Sequence, residues 1–105
     1  MAEPDNRYEL HALLETILGS KNVYYQPPEG FKMKYPAIVY NRTRIKNWHA
    51  DDGVYRQGHA YLITVIDRNP DSQTVEAISR LPLCQYDRHF VADNLNHDTF
   101  TLYWR

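Results

Sequence analysis

The stretch Tyr61-Leu62-Ile63-Thr64-Val65-Ile66, followed by Asp67-Arg68-Asn69-Pro70-Asp71-Ser72, constrains the fold of this 105-residue chain more than any other. Six residues rich in β-branched and aromatic side chains, almost without polar interruption, predict a strand covered on both faces. The run then stops on turn chemistry. Pro70 keeps Asn69 out of the helical region, and Asp71 or Ser72 offers a cap to a new helix. One central strand therefore feeds directly into one helix, and the remaining elements must pack against that pair.

The elements around it follow from periodicity. Asn6 and Glu9 have the spacing of a capping box, and Leu10, Leu13, Leu14, Ile17 and Leu18 form the stripe of an amphipathic helix over about 7–18. Gly19 stands where a left-handed C-terminal cap belongs. Asn22 to Gln26 reads as a short strand closed by Pro27-Pro28, which cannot donate to a sheet ladder, so the segment is an edge or leaves the sheet there. Ala37 to Tyr40 reads as a second strand, continued to Trp48 by alternating polar residues. After the polar turn His49-Ala50-Asp51-Asp52-Gly53, the arms 35–48 and 54–67 predict a long antiparallel hairpin, with Gly58 marking a bulge or a close backbone approach. A second helix over about 72–80 carries Val75, Ile78 and Leu81 on one side and ends before Pro82. Two strands follow, 84–92 and 98–104, joined by Asp93-Asn94-Leu95-Asn96-His97.

The expected fold is a single α+β domain over residues 1–105. It has an antiparallel-dominated sheet, two helices packed on it and a long protruding β-hairpin. The chain is long enough for one modest core. Nine Tyr, three Phe and two Trp bring the aromatic share to 13%. Tyr suits half-buried faces and interfaces, so this number favours either an assembling protein or a small sheet filled with Tyr. A net charge of −1 gives no support to a general nucleic-acid binder. No apolar run approaches the ~20 residues that span a bilayer, and the start of the chain is polar, so neither a membrane span nor a signal peptide is expected. The single Cys84 reads as a small buried apolar residue in a reducing compartment.

Chemistry is sparse. The five histidines, His11, His49, His59, His89 and His97, lack the spacings of a zinc site, and the four glycines form no phosphate loop. His11 reads as a helix-flank residue, and His97-Asp98 as a polar turn. Period-two alternation puts Asp87 and His89 on one strand face, a base-and-orienter pair in principle. The serines that would serve as nucleophile, Ser20, Ser72 and Ser79, sit in helical or capping contexts. The same alternation places Arg42, Arg44 and Lys46 on one face, a basic stripe preceded by Lys32 and Lys34. It would face DNA phosphates or a neighbour's carboxylates, or else be a solvated edge guarded by charge. Asp51 and Asp52 at the tip would let one copy's acidic turn meet the next copy's basic stripe.

Four phrases carry a resemblance. They are Tyr24-Tyr25-Gln26-Pro27-Pro28, Met33-Lys34-Tyr35-Pro36-Ala37-Ile38-Val39-Tyr40, the opening stretch Tyr61 to Ser72, and Asp87-Arg88-His89-Phe90-Val91-Ala92-Asp93-Asn94-Leu95-Asn96-His97-Asp98. From about Arg7 onward the chain resembles the tail terminator, or tail completion, proteins of long-tailed bacteriophages. The resemblance implies an α+β sandwich with a long hairpin. It also implies a homohexameric ring that ends tail-tube growth and gives the head connector a docking surface. The implied partners are further copies of the chain, the major tail tube protein and a connector or stopper protein, with DNA passing the lumen without sequence-specific contact. No catalytic residue, cofactor, metal or membrane is implied, and the implied location is the tail or neck region of the virion, assembled in the host bacterial cytoplasm. Arg42, Arg44, Lys46, Trp48, Asp51, Asp52 and Tyr55 are the candidate subunit-interface or lumen residues. The alternatives are another head–tail connector component, or a small hydrolase or nucleic-acid-binding domain.

Overall fold

The computed structural model describes the backbone of residues 6–49 and 55–104 and the side chains of 7–43 and 59–104. The element order is α1 (Asn6–Leu18), β1 (Val23–Tyr25), β2 (Ala37–His49), β3 (Tyr55–Asp67), α2 (Gln73–Ser79), β4 (Cys84–Ala92) and β5 (Leu95–Trp104). The strands form one sheet in the order β1-β2-β3-β5-β4. The β1–β2 pair is parallel and the other three pairs are antiparallel, so the chain is an α+β domain with a mixed, antiparallel-dominated sheet. Among the described residues no helix is long and apolar enough to cross a membrane.

Local signals place these elements. Gly19 adopts φ +80°, and its N–H donates to the Glu15 carbonyl at 2.9 Å, closing α1 as a left-handed cap does. The turn after β3 is stitched by side chains. The Asp67 carboxylate accepts from the Asn69 N–H at 2.9 Å, and the Asn69 side chain accepts from the Asp71 N–H at 2.9 Å. Ser72 then caps α2, accepting from the Thr74 N–H at 3.2 Å.

The core lies between one face of the sheet and the helices. Leu10 and Leu14 of α1 and Ile78 of α2 meet Val23, Ile38, Tyr40, Tyr61, Ile63, Val65, Phe100 and Leu102. On the central strand β3, Tyr61, Ile63 and Val65 are buried on one face, while on the other Ala60 and Ile66 are buried and Leu62 and Thr64 half-buried. The expectation that it is covered on both faces holds only in part. Both helices pack on the Tyr61 face, called here the helix face, and β2 and β5 cover the strand's edges. An unbroken apolar run does not distinguish burial beneath helices from burial between neighbouring strands.

Two other expectations change. Residues 93–97 are not a loop: β5 starts at Leu95, which is only 9% exposed, and the connection is the two residues Asp93 and Asn94. Both have positive φ, 54° and 62°, the geometry of a tight hairpin turn that Asp and Asn tolerate. No irregularity occurs at Gly58, which stands in register with Lys46; the ladder shifts instead between Arg42 and Arg44.

The β2–β3 pair is longer than the sheet around it. β1 pairs with β2 only at Ile38, Val39 and Tyr40, and β5 pairs with β3 only from His59 to Asp67. Positions 46–49 and 55–58 therefore have only each other as strand partners among the described residues.

Candidate functional site

The basic stripe does not survive the register. Arg42 stands opposite Tyr61, but Arg44 stands opposite Ala60, with Thr43 as the extra residue of a β-bulge. The Thr43 hydroxyl donates to the Ala60 carbonyl at 3.1 Å, so the inserted residue occupies a backbone acceptor at the bulge. One inserted residue inverts the alternation beyond it. Position 42 thus belongs to the helix face, while positions 44, 46 and 48 fall in line with Ala60, Gly58 and Arg56 on the other, open face. Arg42 itself is exposed. For Arg44, Lys46, Trp48 and Tyr55 only the backbone is described, and Asp51 and Asp52 lie outside the described residues.

A second bulge separates Asp87 from His89. Tyr86 stands opposite Phe100 and Arg88 opposite Thr99, leaving Asp87 as the extra residue. The Asp87 carboxylate accepts from the Thr101 hydroxyl at 2.8 Å, on the open face. His89 stands opposite Asp98, and its Nε2 lies 3.0 Å from Asn96 Oδ1, on the helix face. The expected base-and-orienter pair is therefore not assembled. The serine hydroxyls are engaged locally: Ser20 accepts from the Asn22 N–H, Ser72 caps α2, and Ser79 donates to the Glu76 carbonyl at 2.7 Å. Among the described residues no three His, Cys, Asp or Glu side chains gather as a metal site would require.

What the chain does build is an aromatic cluster where the β2–β3 pair leaves the cover of β1. Tyr40 and Tyr61 are fully buried with ring centroids 5.8 Å apart, and Tyr25 lies 4.9 Å from Tyr40. The Arg7 guanidinium sits 4.2 Å from the Tyr25 ring and 4.6 Å from that of Tyr8, and donates to the Tyr40 hydroxyl at 3.3 Å. His11 Nδ1 lies 2.7 Å from that hydroxyl, and its Nε2 is 3.5 Å from Glu15. The helix-flank histidine is thus a polar tie between α1 and β2. Sequence reasoning missed it because a His beside an apolar stripe says nothing about a tyrosine 29 positions away.

At the opposite end of the sheet an open groove of about 650 Å³ runs along α2, lined by Pro70, Ser72, Val75, Glu76, Arg80 and Asp98 among others. Asp98 is 8% exposed and accepts from the Tyr86 hydroxyl at 2.8 Å. Partial burial and that bond to a carboxylate push the Tyr86 hydroxyl above its ordinary pKa. Cys84 is half-buried rather than buried, packed against the core, and its thiol is pushed up by burial and by the nearby Asp87. A raised thiol pKa disfavours the nucleophilic thiolate.

Comparison with protein-family models, with curated proteins and with solved structures found no match. The class that the fold defines is a two-layer α+β domain with its helices on one sheet face.

Proposed function

We propose that this chain is a structural virion protein of a phage tail or neck. It forms a ring of six copies that ends tail-tube polymerisation and presents a docking surface to the head connector. The reading starts from the sequence phrases that resemble tail terminators. The observation that carries it furthest is the β2–β3 pair, two strands of 13 residues each in a 105-residue chain. Read as the long hairpin of a tail-terminator-like sandwich, this pair is an arm that reaches a neighbouring copy or lines the lumen. A ring closes by head-to-tail contacts between two different surfaces of each copy. The role asks for no reaction, and it gives a use to tyrosines that stand outside the core.

By backbone register, positions 44, 46 and 48 fall opposite Ala60, Gly58 and Arg56 and position 42 opposite Tyr61, so the basic residues of the arm are divided between two strand faces. Contact with passing DNA through phosphates alone remains compatible with that arrangement. The second reading, a connector component of the neck, shares the same architecture.

Deleting the gene and imaging the lysate separates the two. Overlong tails without heads support termination, whereas tails of normal length beside DNA-leaking heads support the connector role. Normal infectious virions contradict both.

A further inference from the structure

The large apolar side chains left exposed among the described residues are not scattered. Tyr8, Phe31 and Tyr35 gather around β1: Tyr8 shares the Arg7 guanidinium with Tyr25, Phe31 packs edge-on against Tyr24 at 5.2 Å, and Tyr35 leads into Pro36, whose carbonyl is held by Asn22. Leu83, Tyr86 and Val91 lie on or beside β4. Because the strand order is β1-β2-β3-β5-β4, these two sets mark the two opposite edges of the sheet. Their exposures run from 38% for Tyr35 to 64% for Tyr8, so each edge shows apolar surface that a partner would cover.

Charge differs between the edges as well. Residues 7–36, around β1, carry four cations against three carboxylates, and Lys21, Lys32 and Lys34 are all exposed. Residues 71–93, around β4 and α2, carry four exposed carboxylates against two exposed arginines. One edge is thus mildly basic and the other acidic, the arrangement that lets two copies of one chain attract each other head to tail.

We infer that the β4 edge of one copy docks on the β1 edge of the next, a heterologous contact made by side chains. Continuous strand pairing is not the means. β1 has only three residues, and the bulge at Asp87 interrupts β4, both features that blunt an edge against ladder extension. The inference rests on the ring reading only in taking the partner to be another copy; it names the surfaces that close such a ring.

Two variants test it. Tyr8→Asp breaks the β1 edge, and Leu83→Asp with Val91→Asp breaks the β4 edge. All three positions are solvent-exposed, so circular dichroism and melting should match the wild type. In sedimentation velocity, at a concentration where the wild type is assembled, each variant alone should run as a monomer. An equimolar mixture should run as a heterodimer, because one intact pair of edges remains. Variants that stay assembled, or a mixture that stays monomeric, overturn the inference while leaving the ring reading to the deletion experiment. A wild type that is monomeric at every attainable concentration overturns it too. A heterodimer together with normal deletion virions would keep this contact and remove the phage role.

Discussion

Asp87 and His89, two residues apart on β4, stand on opposite faces of the sheet, one bonded to Thr101 and the other to Asn96. The Cys84 thiol is pushed up by burial and, secondarily, by the Asp87 carboxylate. Asp87→Asn removes that negative charge. The expected outcome is faster reaction of Cys84 with a disulfide reagent at neutral pH, severalfold over a wild type that reacts more slowly than free cysteine. An unchanged rate would show that Asp87 has no hold on the thiol.

The tie between His11 and Tyr40 gives a second prediction. Tyr40→Phe keeps the ring packing and removes the hydroxyl that Arg7 and His11 share. Because both partners are only half-buried and regain water, the loss of stability in urea unfolding should be about 1 kcal/mol. Tyr40→Ala, which empties a fully buried aromatic site, should cost about 3–5 kcal/mol. Equal losses for the two variants would remove the hydroxyl from the account.

Ile63 is fully buried at the centre of the helix face, paired with Tyr40 on one side and Phe100 on the other. Ile63→Ala should therefore cost roughly 2–5 kcal/mol. A loss well under 1 kcal/mol would contradict the position of β3 at the centre of the core.

Tyr86 links stability to alkaline pH. Its hydroxyl pKa is raised above 10.0 in the folded chain, so the neutral form is the one that folding favours. Its contribution is complete below the ordinary value and is lost as pH rises through the folded one. Tyr86→Phe should be less stable than the wild type at pH 8, and the gap should close as pH climbs past the tyrosine range. A gap that stays constant with pH would mean that the Asp98 bond contributes nothing.

Local chemistry in the sequence located the helices, the caps at Gly19 and Ser72, and the turn after β3, because those signals involve residues within one turn of each other. The central strand was legible as a strand, but not as one covered by helices on a single face. The candidate site was much less legible, for one physical reason. Both the Arg42-Arg44-Lys46 stripe and the Asp87–His89 pair rest on period-two alternation, and in each case one extra residue, Thr43 or Asp87, inverts the face. A bulge is a property of a strand and its partner together, and neither Thr43 nor Asp87 is a glycine that would announce it. The segregation of exposed apolar residues to two sheet edges was equally hidden, because it depends on strand order.

The central claim, a structural protein at the head-proximal end of a phage tail, is tested most directly by locating the chain on purified virions with immunogold electron microscopy. The account predicts label confined to the neck, where the tail tube meets the head. Label along the tube, at the tail tip or inside heads, or virions that carry no label under conditions where the antibody binds the free chain, would contradict it.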